Sequence, residues 1–252
     1  MRTDTAAPTQ PRSLDSGIGF SEKLSYGVGN FAEQMVFNPA TSFIIYFYTD
    51  IAGLAAATVG TILLFSRFFD LLNPVIGLVV DRTHTRHGTG RPWLLWLAVP
   101  FGLSAVLMFT APGFGLLGKA IFAFITYNLA LAIIFPAIDV PYSAMLPLVT
   151  SDENERTQLS LFRMVACNAG GLVSFAITLP LVKYFGGGAI GWNRSFICFG
   201  VVGTLFLFWC FAGTKERITP VLSQESKVPV RLAMAAVLMV PLEETLRTRL
   251  LR

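Results

Sequence analysis

Two carboxylates stand where an apolar environment makes them expensive. Asp70 lies in the stretch 61–80 and Asp139 in the stretch 120–142, both otherwise long apolar runs. An ionised side chain at bilayer depth costs about 2.5 kcal/mol or more, so it usually faces a polar cavity or pathway. The chemistry this points to is coordination of a cation or proton, or hydrogen bonding to a small polar solute. Arg67, Asp70, Asn73 and Gly77 recur at helical spacing and form one polar, small-residue face. Carboxylate and amide oxygens there can replace water around a hard cation. The other reading is a buried Arg67–Asp70 ion pair that holds helices together. Pro74 is expected to kink the helix and free a backbone carbonyl, which suits ion coordination.

The elements that position these groups follow from composition. Hydrophobic residues make up 54% of the 252 and charged residues only 13%, about half of what a water-facing surface needs. The mean hydropathy of +0.62 agrees. A spanning helix takes about 20 mostly apolar residues. Six stretches qualify: 27–48, 54–80, 93–111, 120–142, 159–185 and 195–212. Helix is the expected conformation, because an open strand leaves backbone groups unpaired in lipid. The connections are short and carry turn residues, such as Thr49-Asp50, Pro112-Gly113 and Gly186-Gly187-Gly188.

Charge orients the bundle. With the N-terminus inside, inward segments hold Arg2, Arg12, Lys23, Arg82, Arg86, Arg91, Arg156, Lys215, Arg217 and Lys227, against Lys119, Lys183 and Arg194 outside. Ten against three is a positive-inside bias, which places both termini in the cytoplasm of a multi-pass inner or plasma membrane protein. The formal charge of +4 is scattered over loops and forms no stripe for nucleic acid. Residues 1–22 read as a disordered cytoplasmic arm, and 218–252 as a cytoplasmic or interfacial tail whose apolar run is too short to span. Cys167, Cys198 and Cys210 form no metal or redox motif and read as packing residues. His84 and His87 share one loop with no third ligand nearby, so no metal site is expected. The absence of HExxH, of GxSxG and of any His inside a span argues against an enzyme.

Several motifs are recognisable. Gly77-Leu78-Val79-Val80-Asp81-Arg82, with the basic loop through Arg86 to Arg91, resembles the signature between helices two and three of major facilitator transporters. Lys23-Leu24-Ser25-Tyr26-Gly27 opens the first span and Tyr46-Phe47-Tyr48-Thr49-Asp50 closes it. Asp139-Val140-Pro141-Tyr142-Ser143, Asn154-Glu155-Arg156-Thr157-Gln158 and Arg163 follow in order. Over 23–217 the set resembles the glycoside–pentoside–hexuronide:cation symporter family. The resemblance implies an all-α membrane protein whose six transmembrane helices form one half of a major facilitator fold. It implies sugar or glycoside transport coupled to Na+ or H+, with no other cofactor. It also implies sugar contacts from Gln34, Asp139, Tyr142 and Arg163, a cation site at Asp70 and Asn73, and a gating loop containing Gly77, Asp81, Arg82 and Arg86.

The chain departs from the pattern in places. A second acid expected just before the helix-two proline is missing, since Asn73 runs straight into Pro74. A cation site with one carboxylate fewer holds its ion more weakly or uses a proton. Gln34 stands at a position where a sugar-binding acid occurs in the family, with Glu33 beside it either supplying the charge or pairing with Arg163. Ser143 replaces a sugar-stacking aromatic. Carriers of this family combine two six-helix halves, and six spans make one. A second half-carrier, a homodimer, or an inactive structural fragment are the three outcomes left open.

Overall fold

A computed structural model describes residues 18–81, Thr83, Thr85 and 88–217, with only the backbone of 70–72 and 81. The described chain forms six helical rods and no β-strand. The first rod is α1 (Phe20–Tyr46), continued by a π-helical turn, Phe47–Ile51. The second comprises α2 (Ala56–Ser66), a tight 3-10 stretch Arg67–Leu72 and α3 (Asn73–Asp81). The third is α4 (Arg91–Met108). The fourth joins α5 (Leu116–Tyr127), a π segment Asn128–Ile134 and α6 (Phe135–Val149). The fifth is α7 (Glu153–Tyr184) and the sixth α8 (Gly188–Gly213).

Five of the six rods are long and apolar enough to cross a membrane; α1 is not among them. The reason is its polar content: Glu22, Lys23, Asn30, Glu33, Gln34 and Asn38 all lie on it. α1 nevertheless packs against α7 and α8, and two of these polar residues, Asn30 and Glu33, are buried in protein.

The helix breaks have local causes. Proline lacks an N–H and crowds the carbonyl four residues back. Pro74 does this at Asp70, and the chain tightens over Arg67–Leu72, so the expected kink takes the form of a 3-10 stretch. Pro136 does the same at Ala132, and the fourth rod widens to i→i−5 bonding, with the Phe135 N–H reaching the Ala130 carbonyl. Such π turns are rare and cluster at functional sites. Five helices, α1, α4, α5, α7 and α8, start earlier than the apolar stretches, and at α1 and α7 a polar contact marks the start. α1 begins at Phe20, inside the segment read as an arm, where the Ile18 N–H donates to Glu155 Oε1 at 2.7 Å. α7 begins at Glu153 because Asp152 Oδ1 caps it, accepting from the N–H of Asn154 at 2.7 Å and of Glu155 at 3.1 Å. Gly186, Gly187 and Gly188 take positive φ (97°, 68° and 54°) and reverse the chain between α7 and α8.

Small residues let the helices approach. A Cβ on Gly102 would lie 2.7 Å from the Gly200 carbonyl oxygen, and one on Gly170 would lie 2.7 Å from that of Phe31. At one end of the bundle Phe47, Phe109, Trp192 and Phe196 pack between the first, third and sixth rods, with Phe109 and Phe196 stacked at a centroid distance of 3.6 Å. At the other end, Arg217 grips Glu22 with two hydrogen bonds of 2.8 and 2.7 Å. All three cysteines are free, and Cys210 is buried in the core.

Candidate functional site

The site is assembled by α6 and α7. Asp139 lies ten residues before the end of α6, and Arg163 ten residues after the start of α7. At 1.5 Å per residue, both sit about 15 Å from that end, near the middle of a hydrocarbon core about 30 Å thick. The Arg163 Nη2 donates to Asp139 Oδ1 at 3.1 Å and to Ser143 Oγ at 2.8 Å. Asp139 and Ser143 are four residues apart, so they occupy one face of α6 and present two acceptors to one planar donor. The guanidinium carbon also lies 5.0 Å from the centre of the Tyr142 ring. The side chains of Arg163 and Asp139 are 26% and 37% exposed, so a solute can reach both.

Tyr142 departs from the sequence expectation. It is 0% exposed, stacked on Tyr26 with centroids 4.8 Å apart, and its hydroxyl donates to the Tyr26 carbonyl. The Tyr26 hydroxyl returns the bond to the Tyr142 carbonyl at 3.2 Å. One residue before Ser143, Tyr142 turns into the α1–α6 contact. Its ring lies against the Arg163 guanidinium and is closed to solvent.

Gln34 is half-buried on α1, next to Glu33. Asn73 is exposed at the start of α3. Gly77 is half-buried, and a Cβ there would meet nothing within 4 Å. The Asp70 and Asp81 side chains, and Arg82, Arg86, His84 and His87, lie outside the described residues.

The loop before α4 is tied down by a residue far away in the chain. Glu216 accepts from the N–H of Thr89 at 2.8 Å and from those of Gly90 and Arg91 at 3.0 Å each. Arg91 in turn donates to the Phe211 carbonyl at 2.7 Å. No local pattern signals this, since the carboxylate is more than a hundred residues from the amides. Ser143 was legible as an acceptor from its i+4 spacing to Asp139. Glu33, a third acid within an apolar stretch, was legible by the same rule that marked Asp70 and Asp139.

Residues 25–239 match the family described as MFS/sugar transport protein, a match that continues past the 23–217 over which motifs are recognisable. The chain belongs to this family. It is thus an integral multi-pass membrane protein. The chain is 36% identical over 241 residues to the isoprimeverose transporter of Lactiplantibacillus pentosus, covering 93% of this chain and 50% of that protein. It is 42% identical over 205 residues to YagG of Escherichia coli K12, provisionally named a glycoside/cation symporter (80% and 44% covered). The inner membrane symporter YicJ of the same organism is 37% identical over 204 residues (80% and 44%). The chain spans about half the length of the curated relatives it matches.

Proposed function

We propose that this chain supplies one six-helix half of a symporter for a sugar or glycoside, coupled to Na+ or H+, and that it makes and breaks no covalent bond. The observation that carries the reading is the half-exposed Asp139–Arg163–Ser143 cluster near mid-membrane. A carboxylate and a guanidinium side by side match the alternating donors and acceptors of vicinal hydroxyls. Asp70 and Asn73 are the cation residues in this reading, Gln34 adds a hydrogen-bonding amide, and the segment with Gly77, Asp81, Arg82 and Arg86 acts as the gating loop. Both termini face the cytoplasm, in line with the Lys and Arg bias. Alternating access needs one bundle to rock against another, so transport requires a second six-helix half beside these six rods.

Coupling is a matter of linkage: if the cation strengthens sugar binding, the sugar must strengthen cation binding by the same factor. The test is equilibrium binding of isoprimeverose and a panel of other glycosides to the reconstituted chain at varied Na+ and pH. Affinity rising with either cation, and abolished by Asp139→Asn, is the expected result. An affinity flat in both ions sinks the coupling, and no binding of any glycoside sinks the sugar assignment.

A further inference from the structure

Glu33 stands in the middle of α1 and is 0% exposed. Its Oε2 accepts from Asn30 Nδ2 at 3.0 Å, while its Oε1 is sealed from solvent with no hydrogen-bond partner among the described residues. Among the described residues, the charged groups within electrostatic reach are Asp139 from α6 and Arg163 from α7. The other titratable groups around it are Tyr142 from α6, Cys167 from α7, Cys210 from α8 and Tyr26 on its own helix. Both tyrosine hydroxyls are taken by each other's backbone carbonyls. Arg163 already holds Asp139 and Ser143.

Charge counting then decides the state of Glu33. Two carboxylates share one guanidinium, which leaves one negative charge over if both are ionised. A bare charge sealed in the protein interior costs far more than a neutral carboxyl in the same place. Space selects the ligand: with less than 1 Å² of Oε1 accessible, neither a metal ion with its oxygen shell nor a sugar hydroxyl reaches it. A proton needs no cavity.

We infer that Glu33 is a proton-binding site built into the bundle, separate from the Asp70–Asn73 region, and that its proton keeps the Asp139–Arg163 pair assembled. While Glu33 is neutral it leaves Arg163 to Asp139 and Ser143. When the proton leaves, Glu33 competes for the same guanidinium and draws it away from them. Proton and assembled pair therefore stabilise each other, whatever solute the pair takes.

Infrared spectroscopy of the full chain in lipid vesicles at neutral pH tests this without any sugar, so its outcome is independent of the carrier reading. The expected result is a protonated-carboxyl band that shifts in D2O and with 13C-labelled glutamate, and not with labelled aspartate. The isotope label reads the wild-type protein, so the assignment survives even if Glu33→Gln does not fold. Glu33→Gln should abolish the band. Arg163→Gln should keep it, because the compensating cation is gone. Asp139→Asn should lose it, because Arg163 is then free to pair with an ionised Glu33. Absence of a glutamate acid band in the wild type, or its persistence in folded Glu33→Gln, overturns the site. Persistence in Asp139→Asn overturns its link to the pair.

Discussion

Arg163 holds three neighbours at once: the Asp139 carboxylate, the Ser143 hydroxyl and the face of Tyr142. A guanidinium can do this because it is a flat fork with donors fixed in direction and a face that stacks. Lysine keeps the charge and loses the fork. Arg163→Lys should therefore weaken the proposed glycoside binding by about 1.5–3 kcal/mol, roughly 10- to 150-fold, the worth of a charge-assisted hydrogen bond. Helix content by circular dichroism should stay unchanged. Binding within twofold of wild type would mean that the fork geometry contributes nothing. Tyr142, by contrast, acts through packing, and its aromatic type in the sequence carries no information on which way the ring turns.

Helix against helix, the bundle depends on where backbones touch. Gly170→Ala places a methyl 2.7 Å from a carbonyl of α1. Overpacking of this kind costs about 1–3 kcal/mol. Gly60 on α2 has open space at the same position, so Gly60→Ala should be neutral or stabilise by up to about 1 kcal/mol through helix propensity. Thermal unfolding in detergent separates the two, and equal melting temperatures would discredit the close contact of α1 and α7. The tie from Glu216 to the loop before α4 belongs here as well. Glu216→Ala removes the acceptor of three N–H groups, a capping loss of about 1 kcal/mol. Amide exchange at Thr89, Gly90 and Arg91 should accelerate about fivefold, since 1.4 kcal/mol is a factor of ten. Exchange as slow as in the wild type would show that the loop is held by something else.

For the molecule as a whole, the governing fact is that six rods match about half of each relative. A single bundle offers a binding face without an opposing wall. On the proposed reading, vesicles containing this chain alone should bind a labelled glycoside and accumulate none. Co-reconstitution with a six-helix partner half should give uptake that responds to Na+ or pH. Uptake by the chain alone, in a strictly monomeric state, would contradict the need for a partner.

Six apolar stretches, their helical nature, the positions of the prolines and the order of motifs were all legible in the linear chain. Each is set by local quantities: hydropathy over about 20 residues, a missing N–H, and the 3.6-residue period that puts Asp139 and Ser143 on one face. Helix starts moved where a cap or a distant carboxylate intervened, as at Asp152 and Glu155. Only the tertiary structure decided that Tyr142 turns inward, that Glu33 is sealed beside an already occupied arginine, and that Glu216 reaches the loop before α4. These depend on which helices lie side by side, and on whether a neighbour fills the space around a polar atom. Residue type and spacing along the chain do not encode that.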